Sequence, residues 1–254
     1  MQKLLDTEPK IFALIIGTEI LNRRRVDAHF DFVSTLLEEY GRKLSGSFII
    51  EDDPELIVKT IRFIDSLPNS ILFSFGGIGS TPDDYTRKCS AIALRDGNLY
   101  RHQEAEEIIK EKLGSRISPH SLNMADLPKG SALIENPFNG MPAFSLDERY
   151  FFVPGFPQMS HPMLTNIALE LFKEKRSYYR HSLTAKCRES ELIEVMQQMP
   201  QSVDFSSLPK WQDDAWVVTI SVASCYKAIA KESFALYIEH LESKDIGYTL
   251  TDGV

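Results

Sequence analysis

Ser70-Ile-Leu-Phe-Ser-Phe-Gly-Gly-Ile-Gly-Ser-Thr-Pro-Asp-Asp-Tyr-Thr-Arg87 changes character twice along its length. Ile71 to Phe75 form an apolar, β-prone run bounded by turn formers, which reads as a buried strand. Gly76, Gly77 and Gly79 follow, and glycines there let a ligand approach main-chain N–H groups closely. Thr81-Pro82-Asp83-Asp84 then predicts a helix start, with Thr81 as N-cap, Pro82 first in the helix and an acid three residues after the cap. Strand, glycine loop and helix N-terminus together make a candidate anion or phosphate site. No Lys-Ser/Thr follows the glycines, and Gly77-Ile-Gly79 lacks a third glycine at the dinucleotide spacing, so neither familiar phosphate loop is present. A purely structural reading stays open. Asp83 and Asp84 would then only cap a helix and complement its dipole, worth about 0.3–1 kcal/mol each.

Before this stretch the pattern repeats. Residues 1–10 are polar and are expected to fray. Ile11 to Ile16 reads as a first buried strand leaving through Gly17-Thr18-Glu19-Ile20-Leu21. Arg23-Arg24-Arg25 reads as solvated surface, or as an anion-steering patch if a phosphate site lies beside it. Asp27 introduces a helix with Phe30, Val33, Leu36, Leu37 and Tyr40 on one face, closed by Gly41. Lys43 to Ile50 is a second strand. Asp53 caps a helix whose first residue is Pro54 and whose buried face carries Ile57, Ile61 and Ile64. Three strand–helix units in a row predict a doubly wound, mostly parallel α/β sheet. Ligands bind such sheets at the carboxyl ends of the strands. Glu19, Asp52 and the Asp83/Asp84 pair all fall at such ends.

After it, Glu104 to Leu113 is the clearest helix and Ser131 to Glu135 a strand that enters the turn Asn136-Pro-Phe-Asn-Gly140. Ala143 to Leu146 and Tyr150 to Val153 read as a hairpin running into Pro154-Gly155-Phe156-Pro157 and a helix with Met163, Ile167 and Leu171 inward. The texture changes near residue 177. Residues 1–176 are expected to form the main domain and residues 177–254 a smaller α+β module. In that module His181 to Cys187, Trp216 to Ala223 and Tyr248 to Leu250 are strands. Ser190 to Met199, with Ser190 as cap, and Lys227 to Ser243 are helices.

The chain has 254 residues and a formal net charge of −8, which disfavours general binding to nucleic acid or to acidic membranes. In residues 177–254 eleven acids face seven Lys and Arg, the wrong sign for phosphate contacts. Cys89, Cys187 and Cys225 form neither a disulfide framework nor a metal spacing, which fits a cytoplasmic protein. The run Ile11–Ile16 is too short for a membrane span or a signal-peptide core.

Four ordered motifs carry a resemblance. GTEIL at 17–21, GGIGSTPDD at 76–84, ENP at 135–137 and VPGFP at 153–157 are similar to GTELL, GGLGPTPDD, ENP and LPGVP of the molybdopterin-binding-like (MoaB/Mog) fold family. The match is best to its CinA-type (competence/damage-inducible) N-terminal domains. The resemblance spans roughly residues 11–172. It implies metal-dependent pyrophosphatase chemistry on ADP-ribose-like or FAD-like dinucleotides, with Asp84 and Asp52 in the catalytic positions and Asp84 and Asp83 near the metal. It implies Gly17, Glu19, Gly76, Gly77, Gly79, Ser80, Thr81, Asn136, Gly155 and Pro157 as substrate contacts. The implied cofactor is a divalent metal, Mg, Mn or Co, and potassium beside it is allowed. The alternatives are a molybdopterin-binding protein without hydrolase activity and a non-catalytic oligomeric module. A homodimer is implied, and residues 177–254 resemble the KH-like domain that follows in CinA. They lack a GXXG loop, so no RNA binding is expected. The deamidase domain of longer CinA proteins has no counterpart in this sequence, so no deamidase activity is expected. The chain departs from the pattern at Ser80, where proline is usual, at Arg23, where glycine is usual, and at Asp27-Ala28-His29, where NTN is usual. His29 reads as a ligand or general base, or, more commonly for a lone histidine near a helix start, as polar surface.

Overall fold

The computed structural model describes residues 9–175 and 177–251. Of the segment expected to fray, only Pro9 and Lys10 are described, and Lys10 already belongs to a strand. The chain divides into two units. One runs to Glu38 and resumes over Arg42–Glu174, and the other takes Glu39–Gly41 and continues from Lys175.

The first unit is built on a six-stranded sheet in the order β2-β1-β3-β8-β7-β6. Strands β1 (Lys10–Ile16), β2 (Leu44–Ile50), β3 (Ser70–Phe75) and β8 (Tyr150–Val153) run parallel. β7 (Ala143–Leu146) and β6 (Ala132–Ile134) add antiparallel edges. Every residue of β3 and all of β1 after Lys10 are buried, as expected of strands covered on both faces. Edge strand β2 is only half-buried. The β7–β8 turn holds Asp147 and Glu148 at φ 55° and 51°, the pair of positive φ angles that a tight hairpin needs.

Helix α1 (His29–Glu39) begins where Asp27 accepts hydrogen bonds from the His29 and Phe30 N–H groups at 3.0 Å each. Val33, Leu36, Leu37 and Tyr40 are buried as expected, but Phe30 points outward and is 45% exposed. Helix α2 (Pro54–Ser66) is capped by Asp53, which accepts from Leu56 N at 2.7 Å, and it buries Ile57, Ile61 and Ile64. The chain goes from β1 through α1 to β2 on one side, then through α2 back across β1 to β3. That reversal puts the topological switch point between β1 and β3, where open α/β sheets form their ligand crevice.

Two elements differ from the sequence expectation. The predicted helix at Thr81 does not start there: α3 spans Thr86–Leu94, and residues 81–84 make a turn. Thr86 N donates to Gly77 O at 2.9 Å, which sets the first helical turn four residues later than the capping pattern implies. The Gly17–Leu21 exit is itself a helical turn over Thr18–Leu21. A two-stranded ribbon, β4 (Leu99–Arg101) with β5 (Asp126–Pro128), flanks helix α4 (Gln103–Leu113). Helix α5 (Pro157–Phe172) closes the unit with Met163, Ile167 and Leu171 inward.

The second unit has four antiparallel strands in the order β10-β11-β9-β12. These are β9 (Tyr179–Ala185), β10 (Asp204–Gln212), β11 (Ala215–Ser224) and β12 (Tyr248–Thr251). With α6 (Lys227–Ser243) and a short helical segment between β9 and β10, they give the β-α-β-β-α-β, split-βαβ order. Leu183, Val218, Ile220, Val222, Tyr237 and Leu241 form its core. The expected helix over Ser190–Met199 is a 3₁₀ turn at Glu189–Leu192 followed by Ile193–Met196, with Arg188 at the cap. Strand β10 has no counterpart in the sequence reading. Among the described residues no helix is long and apolar enough to cross a membrane.

Asp53→Ala removes one cap without touching the core. Chemical unfolding of the first unit should lose about 1 kcal/mol, and an unchanged midpoint would remove Asp53 from the capping role.

Candidate functional site

The strand ends meet at three glycines. Gly76 has φ 98°, and a Cβ there would stand 2.5 Å from Ile16 O. A Cβ on Gly155 would stand 3.3 Å from the Gly76 Cα. A side chain at Gly76 would collide with the end of β1 and one at Gly155 would crowd Gly76, so these loops pack backbone to backbone. The loops open into a cleft of about 510 Å³, within the usual size of small-molecule sites.

Glu19, Asp52, Gly76, Gly77, Gly79, Ser80, Thr81, Asp83, Asp84, Asn136 and Gly155 all line that cleft. Gly17 and Pro157, also expected at the site, do not. Gly17 is buried behind it with its N–H donating to Ile50 O at 3.0 Å, and Pro157 is the first residue of α5. Sequence reasoning missed Arg25, Met124, Asn139, Met141, Phe156 and Met159, which complete the wall. Their loops are distant in sequence, and only the arginine triplet gave a local signal.

Two carboxylates are held in the same way. Asp52 Oδ2 accepts from Thr18 N and Thr18 Oγ1, both at 2.8 Å. Asp84 Oδ2 accepts from Thr81 N at 2.7 Å and Thr81 Oγ1 at 2.5 Å. Asp84 thus makes the reach-back of a capping box, but in a turn and not on a helix. Among the described residues neither Oδ1 has a protein donor. Gly79 is the floor under Asp84: a Cβ there would be 2.6 Å from Asp84 Oδ2. The N–H groups of Gly77, Ile78, Gly79 and Ser80 have no acceptor among the described residues. A run of free amides beside positive-φ glycines is a concave anion cradle.

Arg87 sits behind this loop, 7% exposed. Its Nη2 donates to Gly79 O at 2.8 Å, and its Nη1 donates to Asp126 O at 3.2 Å and to Asn123 O. The guanidinium ties the glycine loop to the segment that carries Met124. Burial opposes its charge, and Asp84 and Asp126 support it.

His29 is neither surface nor a ligand to anything in the cleft. It is 3% exposed and stacks on Phe75 with centroids 4.4 Å apart. Its Nε2 is 3.3 Å from Gly155 O and its Nδ1 is 3.3 Å from His161 Nε2. It braces the Gly155 loop from below.

Among the described residues no group of three His, Cys, Asp or Glu side chains could hold a metal by itself. The donors that line the cleft are hard carboxylate oxygens. They fit a Mg²⁺-type cation that keeps water and takes its remaining ligands from substrate phosphate, which commonly needs only one or two carboxylates.

A family model described as a probable molybdopterin binding domain matches residues 12–174. The chain belongs to this family. Within it the chain is of the CinA N-terminal type. It is 32% identical to a putative competence-damage inducible protein of Bacillus pumilus over 67% of this chain and 42% of that one. A protein of Caldivirga maquilingensis is 28% identical over 75% of this chain and 76% of its own. The chain therefore spans about two fifths of the length of the Bacillus relative. Among solved structures, CinA of Thermoplasma acidophilum, described as of unknown function, matches with a TM-score of 0.56 and 28% identity. It covers 63% of this chain and 96% of that one. The matched region of this probable molybdopterin binding domain contains every cleft residue named above.

Burial pushes the pKa of both His29 and His161 below the ordinary value of 6.5. The unfolded chain then takes up protons first as pH falls. The stability these groups contribute is complete above that ordinary value and is lost as pH drops below it. The melting temperature should decline between about pH 7 and pH 5, and His29→Gln should flatten the decline. A His29→Gln protein with the wild-type pH profile would contradict this assignment.

Proposed function

We propose that this domain hydrolyses the diphosphate bond of a nucleotide-linked compound such as ADP-ribose or FAD with the help of a divalent cation. The observation that supports it is the pairing of two threonine-locked carboxylates, each with one oxygen left over, beside four free backbone amides in one cleft. Amides at Gly77–Ser80 hold non-bridging phosphate oxygens. Asp84 and Asp52 would hold the cation, with Asp83 and Glu19 lining the same cleft. A cation held there would supply charge neutralisation for the diphosphate and a lower pKa for an attacking water. Water adds to one phosphorus, the bridging oxygen leaves with the other phosphate, and a carboxylate oxygen takes the water's proton. Thr18 and Thr81 keep the carboxylates from rotating during this step.

A second reading is binding of a pterin without hydrolysis. The family description and the apolar wall of Met124, Met141, Phe156 and Met159 favour it, because a flat heteroaromatic ring suits such a surface. Incubation with ADP-ribose or FAD and Mg²⁺, Mn²⁺ or Co²⁺ separates the two. AMP release supports hydrolysis, and tight pterin binding without AMP supports the second reading.

Asp84→Asn keeps the size and the Thr81 hydrogen bonds but removes the charge. Turnover should fall by roughly 10² or more with the melting temperature unchanged. Asp83→Asn is the internal control, since Asp83 lines the same cleft but the family resemblance places the functional acid at Asp84. Full activity in Asp84→Asn would return this carboxylate to a structural role.

A further inference from the structure

The lining of the cleft carries four carboxylates, Glu19, Asp52, Asp83 and Asp84, and one cation, Arg25. In a chain of net charge −8 no long-range field draws an anion in. Recognition of phosphate must therefore be local, and Arg25 is the local charge. It comes from the triplet Arg23-Arg24-Arg25, of which Arg23 and Arg24 are exposed and only Arg25 turns inward. The loop is also where the sequence leaves its family pattern, at Arg23 and Asp27-Ala28-His29.

Three contacts aim the guanidinium. Nη2 donates to Gly155 O at 3.0 Å. The Cζ atom lies 5.4 Å from the centroid of the Phe156 ring. Nη1 stands 3.8 Å from Glu19 Oε1, with the arginine side chain 35% exposed. That last separation is well beyond the roughly 2.7–2.9 Å of a charge-assisted hydrogen bond. Of the five guanidinium N–H donors, one is spent on Gly155 and the rest are available. The group is held in place by a carbonyl and a ring, yet is unsatisfied towards Glu19.

We propose that Arg25 is the anion-recognising, specificity-determining residue of this cleft, and that Glu19 is its built-in competitor. A diphosphate oxygen accepts from the available Arg25 N–H groups and displaces the Glu19 carboxylate from its 3.8 Å ion pair. A neutral ligand gains nothing from Arg25. The 57% exposure of the neighbouring Phe156 leaves a ring for the base of the same ligand. The ligand is thus a diphosphate bearing an aromatic base, and the proposal rests on the diphosphate reading given above.

Calorimetric titration of the full chain without metal tests it, using ADP-ribose, inorganic pyrophosphate and adenosine as probes. Arg25→Gln should weaken ADP-ribose and pyrophosphate by about tenfold or more, the size of one hydrogen bond to a charged group, and leave adenosine unchanged. Glu19→Gln should tighten both anions, and Arg25→Lys should lie between wild type and Arg25→Gln. Arg25→Gln that weakens adenosine as much as the anions would make Arg25 a structural brace and overturn the proposal. Equal anion binding by Arg25→Gln and a wild-type protein that still releases AMP would overturn the Arg25 assignment alone. Wild type that binds anions through Arg25 but releases no AMP would uphold the assignment and overturn hydrolysis. Wild type that binds no diphosphate in this metal-free titration would overturn the Arg25 assignment, and AMP release with Mg²⁺, Mn²⁺ or Co²⁺ would still decide hydrolysis.

Discussion

The backbone contact of Gly76 with the end of β1 is the constraint on which the site depends. With a Cβ position 2.5 Å from Ile16 O, any side chain there would separate β1 from β3 at the switch point. Gly155 crowds Gly76 from the β8 side, with a Cβ position 3.3 Å from the Gly76 Cα. Because the three exits touch, acids that leave different strands share one cleft. Apolar burial of β1 and β3 on both faces fixes the strands; the missing side chains decide how closely their ends can meet.

Arg87 shows how that crowding is held. A guanidinium buried without a carboxylate in hydrogen-bond contact is costly, and its Nε has no partner. It is retained where it collects carbonyl oxygens from Gly79, Asn123 and Asp126. Gly79 lies in the glycine loop, Asn123 in a 3₁₀ turn and Asp126 at the first residue of β5. The arginine does for them what a ladder of backbone hydrogen bonds does for a strand. Its charge also lies behind Asp84, on the side away from the cleft.

The legible parts of the chain were those whose signal is local. Apolar runs at 11–16 and 71–75 and the Asp53-Pro54 cap translate into β1, β3 and α2 because short-range periodicity and capping determine them. Strand β10 was not legible. It reads Asp204-Phe-Ser-Ser-Leu-Pro-Lys-Trp-Gln212, mostly exposed at a sheet edge, and nothing but pairing with β11 makes it a strand. The helix start after the glycine loop was displaced because Thr86 N finds Gly77 O, a partner that the capping pattern does not reveal. At the site, acids at strand ends were readable from topology. Arg25 and the methionine wall were not, since which arginine of a triplet turns inward depends on Gly155 and Phe156, some 130 residues away.

The parallel treatment of Asp52 and Asp84 carries the functional weight. A carboxylate that only caps needs one donor and tolerates rotation about its χ2 bond. Here each accepts both the N–H and the hydroxyl of a single threonine on the same oxygen, Oδ2. Two donors on one oxygen fix the carboxylate plane and leave the other oxygen at a defined place. Thr18 is 34 residues from Asp52 and Thr81 only three from Asp84, so no common local motif produces the likeness. The fold arrives at the same lock by two routes, from two adjacent loops, into one cleft. Stability alone gives no reason to fix two solvent-accessible carboxylates while leaving half of each unused. A ligand that needs oxygen donors at a set separation does.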